Sequence, residues 1–398
     1  MTDIKLLFDK SFINGEWVSV NKKKFNVTDP ATGEVVFAVH DGGKEAVDLA
    51  ITAAYNAKKE WETKTAKSRA VLLEALHIAV LEHKEEIANL ITKECGKPFK
   101  ESLGEVAYAA SFLKWFAEEG RRMYGDVIPS HKSDNRIIIT KQPVGVVAII
   151  TPWNFPLAMI TRKIGAALAA GCTVVVRPSE LTPLTALALA YLTKKVGFPA
   201  GTINFVIGEN AAGMGEVLCS SKLVKKISFT GSTRVGRLLM LQSAPTLKKL
   251  SLELGGNAPF IVFEDAELEA AVDGAILSKF RNAGQTCVCT NRILVHENIH
   301  DGFISRFVDK VAKLKLGNGM GNDVQVGPMI DRKAIEKMTE LMENAIEKGG
   351  QLLIGGNSFK DLFFEPTVIG NATPEMKLAN DEIFGPIAPI FKFSTDEE

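Results

Sequence analysis

From Val144 onward, short strand-like runs alternate with helical segments, and glycine or proline marks most of the changeovers. Val144-Gly-Val-Val-Ala-Ile-Ile150, between Pro143 and Pro152, has no polar position at all. A strand with one wet face would alternate, so this pattern requires burial on both faces. A helix over Met159–Ala170 closes at Gly171, and a strand Cys172–Val176 follows. A helix Leu184–Val196 closes at Gly197 and leads to a strand Thr202–Ile207. Strand Lys226–Phe229 runs into Thr230-Gly231-Ser232, and a helix from Val235 leads to strand Lys249–Leu254. Strands that alternate with helices pair in parallel with helices on both faces, which predicts an α/β fold with a Rossmann-like sheet. Such sheets bind ligands where helix N-termini follow strand C-termini.

The pattern restarts after Gly256. Asn257–Phe263 is strand-like, Ala266–Phe280 reads as a helix capped by Asp265, and a loop carrying Cys287 leads to strand Arg292–Val295. Helices Asp301–Leu314 and Arg332–Lys348 then alternate with strands Gln351–Ile354 and Phe363–Val368, which predicts a second α/β domain. Before the first sheet, Met1–Ala38 reads as short strands and turns and Lys44–Arg122 as nearly continuous helix, together covering one sheet face. Arg136-Ile-Ile-Ile-Thr140 has no evident hairpin partner in the sequence and reads as an arm. The expected division is a cofactor-binding domain over residues 1–125 and 143–254, an arm over 126–142, and a catalytic domain over 255–398.

Composition narrows the function classes. Lys+Arg and Asp+Glu both number 47, so no net field draws the chain to nucleic acid or to an anionic membrane. No stretch approaches the roughly 18 uninterrupted apolar residues of a spanning helix. The five cysteines, Cys95, Cys172, Cys219, Cys287 and Cys289, show no disulfide framework, which fits a reducing, cytoplasmic setting. The six histidines form no cluster at zinc-like spacing, and no metal site is expected.

Two segments carry chemistry. Gly284-Gln285-Thr286-Cys287 sets a thiol, and Leu252-Glu253-Leu254-Gly255-Gly256 a carboxylate, beside glycines that let backbone approach a ligand. A cysteine can form a covalent adduct that a positioned carboxylate helps water to cleave. Gly231-Ser-Thr-Arg-Val-Gly236 has the spacing of a phosphate loop, but Arg237-Leu238 replaces the Lys and Ser/Thr that nucleoside triphosphates need. Its turn can still hold a pyrophosphate on backbone N–H groups at a positive helix end.

Taken with Thr151-Pro152-Trp153-Asn154-Phe155-Pro156, Arg177-Pro178-Ser179-Glu180 and Glu382-Ile383-Phe384-Gly385-Pro386, these motifs resemble the NAD(P)-dependent aldehyde dehydrogenases along the whole chain. Ile160-Thr161-Arg162-Lys163 and Lys279-Phe280-Arg281-Asn282, with Cys287-Val288-Cys289, are similar to the succinate-semialdehyde dehydrogenase branch. The resemblance implies that Cys287 attacks the aldehyde, that Asn154 stabilises the oxyanion and that Glu253 activates water; in isolation Asn154 would read as a turn residue. It implies cofactor contacts from Trp153, Arg177, Ser179, Glu180, Gly231, Ser232, Leu254, Glu382 and Phe384. NAD is the expected cofactor, because the Glu180 carboxylate would repel the 2′-phosphate of NADP, although NADP stays possible. Arg162 and Arg281 are expected to grip a substrate carboxylate, the alternative being interdomain ion pairs. Cys289 is either a redox partner of Cys287 or a packed neighbour.

In the resembled family the chain runs on past Gly385-Pro386, so an incomplete catalytic domain and an unpaired arm strand at Ile137–Ile139 are expected. A homo-oligomer, dimer or tetramer, is expected of the full-length type. Glutarate semialdehyde is the alternative substrate. A catalytically silent nucleotide-binding protein and a cofactor-free cysteine hydrolase stay open at this point.

Overall fold

The computed structural model describes residues 6–398. The chain forms two compact units: Met1–Val27, Phe37–Leu90 and Leu103–Glu253 make the first, and Thr28–Val36, Ile91–Ser102 and Leu254–Glu398 the second.

The first unit is built on a seven-stranded sheet. From one edge its strands are Lys249–Glu253, Val224–Thr230, Val146–Ile150, Thr173–Arg177 and Ile203–Phe205, all parallel. Ser11–Ile13 then pairs antiparallel through Phe12↔Phe205, and Glu16–Val18 forms the far edge. Ser11–Ile13 and Glu16–Val18 therefore extend the sheet rather than cover its face, while Lys24–Thr28 and Val35–His40 pair with each other as a separate two-stranded sheet. The apolar runs occupy the centre: every residue of Val146–Ile150 and Thr173–Arg177 is buried. Helices Ala158–Ala169 and Pro183–Lys195 pack with Ala66–Glu82, while Gly43–Thr63 and Ala211–Ser220 pack together against the sheet.

Helix ends follow the glycines. Past Ala169, Gly171 (φ 84°) donates to the Leu168 carbonyl at 3.0 Å and Cys172 to that of Ala167 at 2.9 Å. Gly197 and Phe198 repeat the arrangement on Lys194 and Thr193, at 3.1 and 3.2 Å. A left-handed residue at this position satisfies the orphan carbonyls and turns the chain back toward the sheet.

The arm differs from expectation: Ile137–Ile139 does have a partner, pairing antiparallel with Asp126–Ile128. All of Asp126–Ile128 is exposed, so the short segment shows none of the alternation that marks a half-buried strand.

In the second unit a five-stranded sheet runs Ala258–Val262, Thr290–His296, Ile387–Phe393, Thr367–Gly370 and Gln351–Ile354, the last pair antiparallel. Its core gathers Ile293, Phe303, Phe307, Met338 and Ile390. The helix before the Cys287 loop starts at Leu268, two turn residues later than predicted, because Glu267 and not Asp265 accepts from the Glu269 and Ala270 N–H groups. The strand predicted over Phe363–Val368 is two pieces, Phe363–Phe364 and Thr367–Gly370, interrupted at Pro366, which has no N–H to give a ladder.

Candidate active site

In the first unit the chain lays Val146–Ile150, Thr173–Arg177 and Ile203–Phe205 outward in one direction, then returns to place Val224–Thr230 on the other side of Val146–Ile150. This reversal opens a crevice at the strand C-termini, the place where α/β sheets hold ligands. Trp153 and Asn154 follow one strand and Gly231 and Ser232 the other; Asn154 is buried.

The turn through Asn154 enters helix Ala158–Ala169, which has no N-cap side chain of its own. Glu105, buried on helix Phe99–Glu119, substitutes by accepting from the Leu157 and Ala158 N–H groups at 2.9 and 3.2 Å. A carboxylate at that end also complements the helix dipole. The helix carries Arg162 and Lys163. The Arg162 guanidinium donates to Glu253 Oε2 at 3.1 Å and to the Tyr108 hydroxyl at 2.8 Å, and lies over the Phe112 ring at 4.7 Å.

Glu253 Oε2 also accepts from Thr230 Oγ1 at 2.9 Å, and Lys163 Nζ stands 4.0 Å away while donating to Ser228 Oγ at 3.2 Å. Burial pushes the Glu253 carboxyl up, but Lys163, Thr230 and Arg162 outweigh it and hold the group below the ordinary glutamate value. Burial pushes Lys163 down to about 8, with Glu253 opposing. Both groups line a groove of about 570 Å³ whose apolar wall includes Phe112 and Phe116.

Ser232 caps helix Thr233–Ser243, its hydroxyl accepting from Val235 N at 3.3 Å. The remaining first-turn N–H groups have no partner within a helix, so this end fits the pyrophosphate of a dinucleotide. Arg177 and Glu180, both predicted as cofactor contacts, bond to one another at 2.6 Å, and Arg177 also reaches the Gly208 carbonyl at 3.4 Å. Ser179 is buried and its hydroxyl accepts from Leu181 N at 3.2 Å.

The second unit positions Cys287. After Phe280 the chain passes Asn282 (φ 50°), Ala283 (φ 54°) and Gly284 (φ 74°), three successive left-handed residues of which two carry side chains. That conformation costs non-glycine residues free energy and has to be held from outside. Glu101 Oε2 accepts from Asn282 N at 2.8 Å. The buried Gln285 amide donates to the Asn282 and Pro328 carbonyls at 3.2 and 3.3 Å and accepts from Ile330 N at 3.0 Å. Gly284 sits so close to the Gly385 carbonyl that a Cβ would overlap it. Cys287 emerges half-buried on the loop this clamp defines.

Leu254 begins the segment whose Gly256 N donates to Glu382 Oε1 at 3.2 Å, and a side chain on Gly255 would collide with that carboxylate. Burial raises Glu382 above the ordinary glutamate value. Lys337 Nζ donates to the Glu382 carbonyl at 2.6 Å, and Phe384 is itself left-handed (φ 55°). Arg281 is exposed at the end of helix Leu268–Phe280, whereas Cys289 is buried.

Sequence reasoning missed Glu101, Glu105, Tyr108 and Lys163. Glu101 and Glu105 stand four apart on a largely apolar helix, and two carboxylates on one helical face were the available signal.

The profile of the aldehyde dehydrogenase family matches residues 17–398. The chain is 51% identical over 401 residues to 3-sulfolactaldehyde dehydrogenase of Pseudomonas putida, covering 100% of this chain and 82% of that protein. It is 49% identical to the NADP(+) succinate-semialdehyde dehydrogenase GabD of Escherichia coli K12, over 100% and 83% of the two chains. A crystal structure of succinate-semialdehyde dehydrogenase from Burkholderia pseudomallei superposes with a TM-score of 0.98 at 50% identity, covering 100% of this chain and 83% of that one. The chain belongs to the aldehyde dehydrogenase family, and its α/β fold with Rossmann-like parallel sheet is the fold of that family. Among the described residues no helix is long and apolar enough to cross a membrane.

Proposed function

We propose that the protein oxidises an aldehyde carrying a distal anionic group, succinate semialdehyde foremost, to the carboxylic acid, and that it belongs to the succinate-semialdehyde dehydrogenase branch. The observation that carries the substrate class is Arg162, a guanidinium held by Tyr108 and Phe112 beside the Glu253 carboxylate. Guanidinium pairs bidentately with carboxylates through charge-assisted bonds. The named substrates of the two relatives agree in kind, since one ends in a carboxylate and the other in a sulfonate. Glutarate semialdehyde, one methylene longer, is the second candidate. Arg281 is proposed as the other half of the grip.

In this reading the Cys287 thiolate attacks the aldehyde carbon, and the developing oxyanion is stabilised by the Asn154 amide and the Cys287 N–H. NAD(P), when bound, supplies the hydride acceptor that turns the adduct into a thioester. Glu253 then takes a proton from water, which hydrolyses the thioester and frees the thiol. Gly231, Ser232, Trp153, Leu254, Arg177, Ser179, Glu180, Glu382 and Phe384 are the proposed cofactor contacts. NAD is the proposed preference: at 4 Å, like unit charges repel by about 1–4 kcal/mol, and Glu180 would stand against a 2′-phosphate. The bond from Arg177 offsets part of that repulsion. A cytoplasmic homo-oligomer completes the proposal, with the hairpin of Asp126–Ile128 and Ile137–Ile139, which exposes Val127 and Ile138, as the arm.

The test is NADH formation from succinate semialdehyde. Cys287→Ala is expected to form none while still binding nucleotide, and Glu253→Gln to give a single burst and stall as the thioester. Steady NADH production by Cys287→Ala would overturn the reading.

A further inference from the structure

The groove beside Glu253 is larger than succinate semialdehyde needs. It measures about 570 Å³, whereas that substrate, at the ~30 Å³ per water-sized group of a liquid, displaces at most ~200 Å³. Phe112, Phe116, Ala166 and Ala170, on helices Phe99–Glu119 and Ala158–Ala169, give it an apolar wall. Strands Val224–Thr230 and Lys249–Glu253 give it a polar one, in the register Thr230↔Glu253, Ser228↔Ser251 and Lys226↔Lys249. Alternate residues of a strand share a face, so Glu253, the serine pair and the lysine pair follow one another along that wall. Among the described lining residues Glu253 is the sole carboxylate, and it already accepts from Arg162 and Thr230. The lysine end is therefore unanswered. Lys226 Nζ donates to Ser251 Oγ, with Lys249 beside it on the edge strand. Burial, and after it the Lys249 charge, hold Lys226 below the ordinary lysine value, so an anion seated on the pair relieves a repulsion that the register sets up.

We propose that the groove takes, besides succinate semialdehyde, ω-oxo carboxylates of about seven carbons, with the aldehyde at Glu253, the methylenes along Phe112 and Phe116, and the carboxylate on Lys226 and Lys249. The reach agrees. Ser251, where the Lys226 amine is held, stands two residues from Glu253, ~7 Å along the strand at ~3.3 Å per residue. An extended chain covers ~1.2 Å per bond, so about six bonds carry a carboxylate from the reacting carbon to that amine. Succinate semialdehyde spans about three bonds, or ~4 Å, and stays at the Arg162 end. The oxidation itself is unchanged: water enters, a hydride leaves to NAD(P), two protons are released and the ω-oxo acid becomes a dicarboxylate. This rests on the proposed aldehyde oxidation and adds to it a second substrate class with the two residues that recognise it.

The experiment measures kcat/KM for succinate, glutarate, adipate and pimelate semialdehydes in the full chain, in Lys226→Met and in Lys249→Met. Wild type is expected to use pimelate semialdehyde at least as well as glutarate semialdehyde. The pimelate-to-succinate ratio is expected to fall at least ~10-fold in each variant, the size of one hydrogen bond to a charged group. A steady fall with each added methylene in wild type, or a ratio that keeps its wild-type value in either variant, overturns the proposal. Calorimetry on wild type with pimelate, succinate and heptanoate needs neither a variant nor turnover. Pimelate is expected to bind more tightly than succinate, which is too short, and than heptanoate, which lacks the second charge; equal or weaker binding overturns the proposal. A protein that oxidises none of the aldehydes would refute the proposed function, while the calorimetry would still decide whether the lysine end takes a carboxylate.

Discussion

Glu253 carries the tension at the residue scale. A general base works best with its pKa near the working pH, yet Lys163, Thr230 and Arg162 hold this carboxyl below the ordinary range against the effect of burial. Arg162 is also the proposed carboxylate grip, so one guanidinium serves two anions. Arg162→Ala is therefore expected to raise the Glu253 pKa, moving the acid limb of the kcat profile to higher pH; a limb that stays in place would show that Arg162 does not act on the base. Lys163 gives a second, independent readout. Its folded value of about 8 lies below the ordinary 10.5, so between those pH values the unfolded chain binds more protons and stability rises with pH. Lys163→Met should abolish that rise, with a gain at pH 7 on the order of 1–3 kcal/mol, read from denaturant midpoints at pH 7 and pH 10. Cys287, Glu253 and Asn154 could be singled out as candidates because each sits in a chain-local motif. The partners of Arg162 could not, since Tyr108 and Phe112 lie far upstream and only tertiary packing brings them under the guanidinium.

At the scale of elements, the clearest sequence signals were those with a local physical cause. Gly171 and Gly197 ended their helices within a residue of expectation, because only a left-handed residue closes the last turn in this way. Helix Ala211–Ser220 went unread, and its many small residues give only a modest apolar stripe. The hairpin between Asp126–Ile128 and Ile137–Ile139 went unread because its strands are short and largely exposed, leaving no buried face to set a period. The left-handed run Asn282-Ala283-Gly284 was equally invisible, since alanine carries no preference for that region. It exists because Glu101 and Gln285 hold it. Gly284→Ala combines a strained φ with a clash against the Gly385 carbonyl and should cost at least about 1–3 kcal/mol, with the kcat for aldehyde oxidation falling as the Cys287 loop shifts. A variant with wild-type stability and rate would show that the loop is not held as described.

At the scale of the molecule, the alternation of buried strands and helices dictates two α/β units, and the reversal of strand order in the first places the segments after Val146–Ile150 and Val224–Thr230 side by side. What fold alone does not supply is the substrate: an open α/β sheet hosts many chemistries, and discrimination comes from side chains at the crevice. The central claim is that arginine recognises a distal anion on the aldehyde. It is tested most directly by kcat/KM for succinate semialdehyde against butanal, which has the same reactive group and no distal charge, in wild type, Arg162→Ala and Arg281→Ala. The account predicts at least a ~10-fold preference for the semialdehyde in wild type, about 1.4 kcal/mol, mostly erased in each variant. Comparable values for the two aldehydes in wild type, or a preference that survives both substitutions, would contradict it.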